Sequence, residues 1–378
     1  MSRKLAFVIH DLNPWGGQDK STLEIVRHLS TQLPLQVDAF TFEGHERIAA
    51  PFKRVFPHVK RPVLIKSSLF YASILLRFAA RGKDRPLIHA TGACSLISDV
   101  VQTQFVHARW KEVLKKLSIN LSPYHKLMLA YNSVIERKVY TKDKTYIAIS
   151  RNVAHDLERF FGIRDKIHVI HHGVDSEAFR PLRPDESLKR SQLRSKLGIG
   201  EDEVVAVFAG AYERKGLAVA IEALALLSQN VASKTRLVAV GGGDAGHFQA
   251  LAKKLNVADR VLLIGHTKDV VSYYQMSDIF LLPTLYEAFG LVILEAMACG
   301  LAPIISQDAG ASELCRNGES GLLIQNPESA KEVAAHWQAL LTDDKMRTQM
   351  AKAARAVAVA RPWSKVAAEY EQVLKPLL

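Results

Sequence analysis

The chain has 378 residues, 48% of them hydrophobic and 23% charged, which is ordinary for a soluble globular protein and predicts two domains. Three scattered cysteines, Cys94, Cys299 and Cys315, exclude a disulfide framework and favour a reducing compartment. The first apolar run is too short for a signal peptide, and no run approaches the about 20 residues that span a bilayer.

The net charge of +12 lies in the N-terminal half of the chain. Residues 1–170 carry 27 Lys and Arg against 14 Asp and Glu, a balance of +13, whereas the remaining residues carry 23 against 24, a balance of −1. This asymmetry predicts a partner with spread negative charge for the N-terminal half, such as anionic lipid, a phosphorylated glycolipid or nucleic acid.

Strands and helices alternate along the N-terminal half, which predicts a parallel sheet with helical crossovers. A helix is expected from about Ser21 to Leu29, and a second over Arg151–Phe161 with Ser150 as its N-cap. The predicted strands are Leu5–Ile9, Gln36–Phe42, Leu87–Thr91, Val100–Val106, Tyr146–Ile149 and Ile167–Ile170.

Two segments of this half, 60–85 and 110–144, are both basic and strongly apolar. Apolar residues recur on one helical face from Trp110 to Leu117, a pattern that suits either the headgroup region of a membrane or packing on the chain's own domain. With the charge excess beside it, we favour peripheral contact with an anionic membrane. Nucleic acid is not expected, because no stacking platform or binding module is evident.

A loop rich in proline and charge, from His171 to Glu186, marks the predicted domain boundary, and the alternation then resumes. Arg361–Ser364 interrupts the last helices, and Ser364 is expected to cap a final helix, Lys365–Leu378. The predicted strands lie near Val204–Phe208, Leu237–Val240, Val261–Ile264, Ile279–Leu282 and Ala302–Ile305.

The most informative motif follows the strand Ile279–Leu282 and holds two glutamates, Glu287 in a loop and Glu295 in a helix expected over Leu291–Cys299. Carboxylates at the carboxyl end of a parallel strand can accept hydrogen bonds from pairs of hydroxyls, in the region where open α/β sheets bind ligands. Free N–H groups at the helix start suit phosphate or sugar oxygens. The alternatives are a helix-start carboxylate for Glu287 and a solvated helix residue for Glu295.

Two further junctions between a strand and a loop lie upstream of this motif. Phe208–Gly216 contains Gly210, Arg214 and Lys215, and Leu237–Asp244 contains three consecutive glycines. Two cations, several glycines and two hydroxyl-binding carboxylates at three such junctions fit a diphosphate flanked by two sugars.

With these motifs, and with Ala296-Met-Ala-Cys-Gly300 and Gly318-Glu-Ser-Gly-Leu-Leu323, the whole chain resembles the retaining family 4 glycosyltransferases. Within that family, the chain is most similar to the lipopolysaccharide core glucosyltransferases, as indicated by the segments Pro14-Trp-Gly-Gly-Gln18 and Arg214–Gly216. The resemblance implies an α/β protein of the GT-B fold, with two Rossmann-like domains facing a cleft. Residues 1–172 and about 362–378 would bind the acceptor, residues 173–361 would bind the donor, and the C-terminal helix would cross back to the first domain.

The resemblance also implies roles for single residues. The expected catalytic residues are His107, Glu287, Arg214 and Lys215, and the expected acceptor-binding residues are Gln18 and Asp19. Many relatives have an arginine where this chain has Ala211, so Arg214 is expected to bind the diphosphate in its place. At the position of His107, a tyrosine can stand in some relatives. The expected donor-binding residues are Gly16, Gly17, Gly210, Arg214, Lys215, Gly242, Phe289, Gly290, Leu291, Val292 and Glu295.

The expected reaction is transfer of a hexose from a nucleotide diphosphate sugar to a glycolipid or lipopolysaccharide-type acceptor. A UDP-hexose is favoured, and GDP-mannose stays open. Neither a cofactor nor a metal is expected: the chain has no Asp-x-Asp motif, and His168, His171 and His172 have no carboxylate or cysteine cluster beside them. The expected location is cytoplasmic, peripheral on the inner face of the cell membrane. A soluble transferase, an epimerase and a non-enzymatic binder are the alternatives.

Overall fold

The structure is a computed structural model that describes residues 4–12, 17–32, 36–41, 43–44, 52–54, 63–79, 85–116 and 121–378. The chain forms two compact units. The first unit comprises Met1–His172 and Trp363–Leu378, and the second unit comprises Gly173–Pro362.

The first unit contains a parallel sheet whose described strands run in the order β5-β3-β1-β6-β7-β8-β9. Its strands are β1 (Lys4–Val8), β3 (Gln36–Thr41), β5 (Phe52–Arg54), β6 (Leu87–Thr91), β7 (Val100–Thr103), β8 (Thr145–Ala148) and β9 (Ile167–Val169), and a short separate pair joins β2 (Asp11–Leu12) to β4 (Glu43–Gly44). Its helices are α1 (Gly17–Gln32), α2 (Val63–Ala79), α3 (His107–Lys116), α4 (Pro123–Val139) and α5 (Arg151–Phe161).

The core of the first unit forms because its central strands are apolar on both faces, as buried parallel strands must be. Ala6 and Val8 of β1 pack with Phe70, Ile74 and Phe78, which share one face of α2 at helical spacing. The predicted cap of α5 is confirmed, since the Ser150 side chain accepts a hydrogen bond from Val153 N.

The second unit contains a six-stranded parallel sheet in the order β12-β11-β10-β13-β14-β15. Its strands are β10 (Val204–Ala211), β11 (Thr235–Gly242), β12 (Val261–Gly265), β13 (Ile279–Leu282), β14 (Ala302–Ser306) and β15 (Leu322–Ile324). Its helices are α6 (Ser187–Lys196), α7 (Leu217–Ala225), α8 (Gln229–Ala232), α9 (Ala245–Lys254), α10 (Val270–Met276), α11 (Leu291–Ala298), α12 (Ala330–Thr342) and α13 (Asp344–Val359). Counted within the unit, this is the 3-2-1-4-5-6 strand order of a Rossmann fold.

The last helix, α14 (Trp363–Leu374), packs against α1 in the first unit, so the prediction that the C-terminal helix crosses back is confirmed. Its predicted start was wrong: Ser364 lies inside the helix. A buried stripe on the helix begins at Trp363, and packing of this stripe sets where the helix begins. The stripe consists of Trp363, Val366, Ala367, Tyr370 and Leu374.

Other predicted bounds also differ from the structure. The strand expected to reach Val106 ends at Thr103, and the side chain of the next residue, Gln104, bonds to Ser21 and His172. Helix α1 begins at Gly17, four residues before the prediction, and β15 was missed. Pro14, Gly16 and Leu117 lie outside the described residues. Of the described helices, none has the length and apolar character needed to cross a membrane.

Candidate functional site

The second unit has its topological switch point between β10 and β13, the two central strands whose crossovers lead to opposite edges of the sheet. Ligands of open α/β sheets bind at the carboxyl ends of such a strand pair. The loop after β10 carries Arg214 and Lys215, and the loop after β13 carries Glu287. The sheet order therefore brings together two of the three junctions that the sequence singled out.

A buried ion pair joins these two loops. Lys215 Nζ lies 2.9 Å from Glu287 Oε2, and Arg214 NH1 lies 3.5 Å from the same oxygen while donating to the carbonyl of Tyr286 at 3.1 Å. The Lys215 and Glu287 side chains are only 8% and 13% exposed. Burial by itself would raise the pKa of Glu287, but Lys215 and Arg214 lower it below its ordinary value. Glu287 is thus held as a carboxylate against two cations.

Two glycines at this edge of the sheet lie close to side chains of neighbouring loops. A Cβ at Gly210 would lie 2.5 Å from Lys215 Cδ, so the glycine leaves the path by which Lys215 reaches Glu287. A Cβ at Gly242 would lie 2.2 Å from His266 Nε2. The third junction is tied to the first, because Glu213 Oε1 accepts a hydrogen bond of 2.8 Å from Asp244 N.

The segment from Phe289 to Glu295 continues the site into α11. Ala311 N donates to the carbonyl of Phe289 at 2.8 Å, which anchors the loop, and Gly290 is the residue before the helix. Leu291 and Val292 form the first turn, where backbone N–H groups lack intrahelical acceptors. Glu295 is 6% exposed, so the alternative of a solvated helix residue is wrong.

The first unit has its own switch point, between β1 and β6, and a cavity of about 240 Å³ lies at this end of its sheet. Gln18, the second residue of α1, lines the cavity, and Asp19 follows it along the helix; Gly17 is the exposed first residue of α1. Polar side chains in the lining include His10, Gln18, Gln104, His107, Asn132 and Glu136.

His107, which follows the strand predicted over Val100–Val106, is the first residue of α3. Its Nδ1 lies 2.8 Å from Glu136 Oε1, and its backbone N–H donates to the same oxygen at 2.7 Å. Its Nε2 lies 3.1 Å from Asn132 Nδ2. The imidazole lines the cavity and is held at both nitrogens by residues of α4.

Three buried polar atoms in the cavity lining have no hydrogen-bond partner among the described residues: His10 Nε2, Glu136 Oε2 and the Tyr140 hydroxyl oxygen. Burial lowers the pKa of His10 to about 4, although the neighbouring Asp11 opposes the shift. A free carboxylate oxygen accepts hydrogen bonds from ligand hydroxyl groups, and a neutral imidazole nitrogen donates or accepts one according to its tautomer.

Sequence reasoning missed Glu136, Asn132 and His10. The available signal was the spacing of Asn132 and Glu136, four residues apart on one face of a mostly basic segment, which predicts a shared environment. Among the described residues, no group of three or more His, Cys, Asp or Glu side chains could hold a metal ion.

Comparison with known proteins agrees with this architecture. The family Glycosyltransferase Family 4 matches residues 15–178, and the family Glycosyl transferases group 1 matches residues 189–357. Together these two matches span most of the chain. The chain therefore belongs to the family 4 and group 1 glycosyltransferases, and the family expected from the sequence is confirmed.

Curated relatives align over part of their length. A D-inositol 3-phosphate glycosyltransferase of Xylanimonas cellulosilytica is 32% identical over 244 residues, 62% of this chain and 57% of the relative. A Campylobacter jejuni enzyme named N,N'-diacetylbacillosaminyl-diphospho-undecaprenol alpha-1,3-N-acetylgalactosaminyltransferase is 32% identical over 180 residues, 48% of this chain and 46% of the relative. The chain spans about half the length of the curated relatives it matches.

Solved structures match over nearly the whole chain. WaaG, a glycosyltransferase involved in lipopolysaccharide biosynthesis, has a TM-score of 0.79 at 21% identity and covers 98% of this chain and 99% of its own. Anabaena Alr3699/HepE, in complex with UDP and glucose, has a TM-score of 0.74 at 20% identity and covers 99% of each chain. These likenesses confirm the GT-B fold predicted from the sequence.

Proposed function

We propose that the chain is a retaining hexosyltransferase that uses a nucleotide diphosphate sugar as donor. The observation that carries the proposal is the cluster of Arg214, Lys215 and Glu287 at the switch point of the second unit. Leaving-group charge is the main electrostatic demand of such a transfer, and two preorganised cations in a mostly buried site meet it. Arg214 and Lys215 bind the diphosphate, so no metal ion is required.

The proposed chemical step uses no nucleophile from the protein. The acceptor oxygen bonds to the anomeric carbon while the bond from that carbon to the β-phosphate oxygen breaks. The acceptor proton passes to the departing phosphate oxygen, and attack on the same face retains the configuration. Glu287 binds hydroxyls of the transferred hexose, and Glu295 binds the ribose hydroxyls.

UDP-hexose is the donor that we favour. Support comes from the subgroup resemblance at Arg214–Gly216 and from the UDP and UDP-glucose in the related Anabaena structures. GDP-mannose is the second candidate. Calorimetric titration of the full chain with UDP and GDP separates them: we expect UDP to bind, and tight binding of GDP without any binding of UDP would overturn the assignment.

The cavity of the first unit is the proposed acceptor subsite. Among the described residues that line the cavity, no lysine or arginine occurs. Apart from the histidines, Glu136 is the one lining residue there with an ionisable acidic or basic side chain that is formally charged. A phosphate group would meet no cation, whereas hydroxyl groups, which both donate and accept, would find hydrogen-bond partners at His10 Nε2 and Glu136 Oε2. The sugar that enters the cavity is therefore an uncharged, hydroxyl-bearing one.

The acceptor is proposed to be a glycolipid at an anionic membrane surface, the inner face of the cell membrane. The expected membrane face of α3 is not available, because Val113 and Leu114 are buried in the first unit. Helix α4 instead exposes apolar side chains, with Leu127 55% and Val134 53% exposed. Exposed basic residues accompany them on α4: Lys126, Arg137 and Lys138. This combination suits the headgroup region of an anionic bilayer.

One assay tests the proposed reaction as a whole. Donor hydrolysis and transfer are measured across UDP- and GDP-sugars, with and without lipid-linked sugar acceptors. We expect turnover with a UDP-hexose that rises when a glycolipid acceptor is added. Equal stimulation by a soluble sugar would favour a soluble transferase, and the absence of turnover with every donor would contradict the proposal.

A further inference from the structure

We infer that Glu136 is a positioning residue that fixes His107 in the tautomer protonated on Nδ1. Glu136 lies in α4, is 1% exposed, and is 29 residues away from His107 in sequence. One carboxylate oxygen, Oε1, receives both the backbone N–H and Nδ1 of His107, at 2.7 Å and 2.8 Å. The catalytic consequence of this contact rests on the proposed function, but the contact itself does not.

The tautomer follows from the hydrogen-bonding capacity of the partners. An ionised carboxylate can only accept hydrogen bonds, so Nδ1 must carry the proton that it donates to Oε1. The Asn132 amide nitrogen can only donate, so Nε2 must present its lone pair at the 3.1 Å contact. Both assignments agree on a single neutral tautomer, protonated on Nδ1 and unprotonated on Nε2.

Helix α4 supplies both contacts. Asn132 and Glu136 are four residues apart and face the same side of the helix. The His107 ring is therefore contacted at both nitrogens by α4 alone. His107, Asn132 and Glu136 all line the cavity proposed to hold the acceptor. A hydroxyl group that displaces the Asn132 amide would therefore donate its hydrogen bond to Nε2, which is a ready acceptor.

A purely structural role for Glu136 is the rival explanation. The backbone N–H of His107 belongs to the first turn of α3, and a carboxylate there caps the helix start. Glu136→Gln separates the two roles. The amide oxygen can still accept the backbone N–H bond, but the negative charge that selects the Nδ1 proton is removed.

The test is ring-nitrogen NMR of the full, ligand-free chain labelled in histidine, with the His107 signal assigned by its loss in His107→Gln. We expect wild-type His107 and the Asn132→Ala variant to show the tautomer protonated on Nδ1. The double variant with Asn132→Ala and Glu136→Gln should show a mixture of both tautomers, because neither the carboxylate nor the amide donor remains beside the ring. Glu112→Gln is the matched control. Glu112 is a carboxylate on α3 with ion pairs to Arg109 and Arg159, outside the cavity, and its replacement should leave the His107 signal unchanged.

Three outcomes would overturn the inference: a wild-type ring protonated on Nε2, equal wild-type populations of both tautomers, or identical His107 spectra in Asn132→Ala and in the double variant with Glu136→Gln. The tautomer of wild-type His107 is measured without any variant, so a folding defect in Glu136→Gln does not affect that result. Asn132→Ala gives a second check, because it frees Nε2 and should leave Nδ1 protonated.

Kinetics then test the catalytic consequence. We expect Glu136→Gln to lower kcat by about tenfold, with an unchanged KM for the donor, because donor-binding residues lie in the second unit. A raised donor KM at unchanged kcat would contradict a positioning role. If no donor supports turnover, the proposed function fails, whereas the NMR result still decides the role of Glu136.

Discussion

The switch points of the two sheets differ in charge although both are formed by parallel strands of similar arrangement. In the second unit, Lys215, Arg214 and Glu287 form a mostly buried charged cluster. In the first unit, the cavity between α4 and the strand ends is lined by neutral polar groups and one carboxylate. The same backbone plan thus presents two different sets of side chains, and the loop and helix residues placed at the strand ends set the chemistry that each unit can support.

The largest expected effect comes from removing a cation of the second unit. Lys215→Ala should lower kcat/KM for the donor by roughly 10²–10³-fold, because a preorganised charge that stabilises the leaving diphosphate is lost. Lys234→Ala is the control, since Lys234 is 63% exposed and pairs with Asp202 at the surface. Steady-state kinetics with the preferred donor provide the measurement, and an unaffected Lys215→Ala enzyme would contradict the diphosphate assignment.

The next largest effect concerns the basic surface of the first unit. Replacing Lys126, Arg137 and Lys138 by alanine should weaken binding to anionic vesicles by on the order of 10²-fold at low salt, since each charge contributes roughly 1 kcal/mol. Binding of the wild type should fall as salt rises, because screening acts over about 8 Å at physiological ionic strength.

A matched triple variant in the second unit controls for net charge. Lys253, Lys254 and Lys331 are exposed there, and their replacement by alanine should leave vesicle binding nearly unchanged. If the two triple variants lose vesicle binding equally in co-sedimentation, the overall charge of the protein and not the α4 surface governs its attraction to the membrane. A wild type that fails to co-sediment at low salt would remove the membrane proposal.

Sequence patterns could predict this contrast only in part. The strand Ile279–Leu282 and the cap at Ser150 were predicted and are confirmed, because each depends on local residues. The loops that carry Lys215 and Glu287 were also placed at strand ends, but their ion pair joins residues far apart in sequence, so spacing could not reveal it. Glu136 was missed for the same reason.

Errors at element ends have a similar origin. Val106 is buried and apolar, as a strand residue would be, yet it lies outside the ladder, beyond Gln104, whose side chain bonds to Ser21 and His172 in distant parts of the sequence. The three residues of β15 are too few to give a periodic pattern. Burial is readable from composition, whereas the hydrogen-bond partner of a given residue is set by distant parts of the chain.

A smaller effect should separate the two glutamates of the second unit. Glu295→Ala should weaken binding of the free nucleoside diphosphate by roughly tenfold or more, the cost of hydrogen bonds to a charged group. Glu287→Gln should weaken transfer and largely spare that binding, and the glutamine avoids leaving Lys215 beside a bare cavity. Calorimetry measures the affinities, and equal losses of nucleotide affinity in both variants would refute the division of roles.

The smallest expected effect is a difference between the units in their response to acid. In the first unit, burial lowers the pKa of His10 to about 4 and of His89 to about 3, from an ordinary 6.5. Unfolding lets both rings bind protons, so stability falls as the pH drops from about 6.5 towards these values. Asp156 opposes this: burial raises its pKa to about 6, so it gains protons in the folded state and adds stability below that pH.

Two histidines outweigh one carboxyl, so the first unit should already lose stability between pH 6.5 and 5. In the second unit, the pKa of Glu287 is lowered from the ordinary glutamate value of 4.5. The ion pair of Glu287 is therefore intact above pH 4.5 and is lost only as the pH falls further. Hydrogen exchange of the full chain at pH 7 and pH 5, corrected for intrinsic rates, should therefore show protection falling in β1 and β6 while β10 and β13 stay protected. His89→Phe should reduce the loss in the first unit, because a ring that cannot bind a proton favours neither state as the pH drops. Equal loss of protection in both sheets would mean that buried histidines do not set the acid response of the first unit.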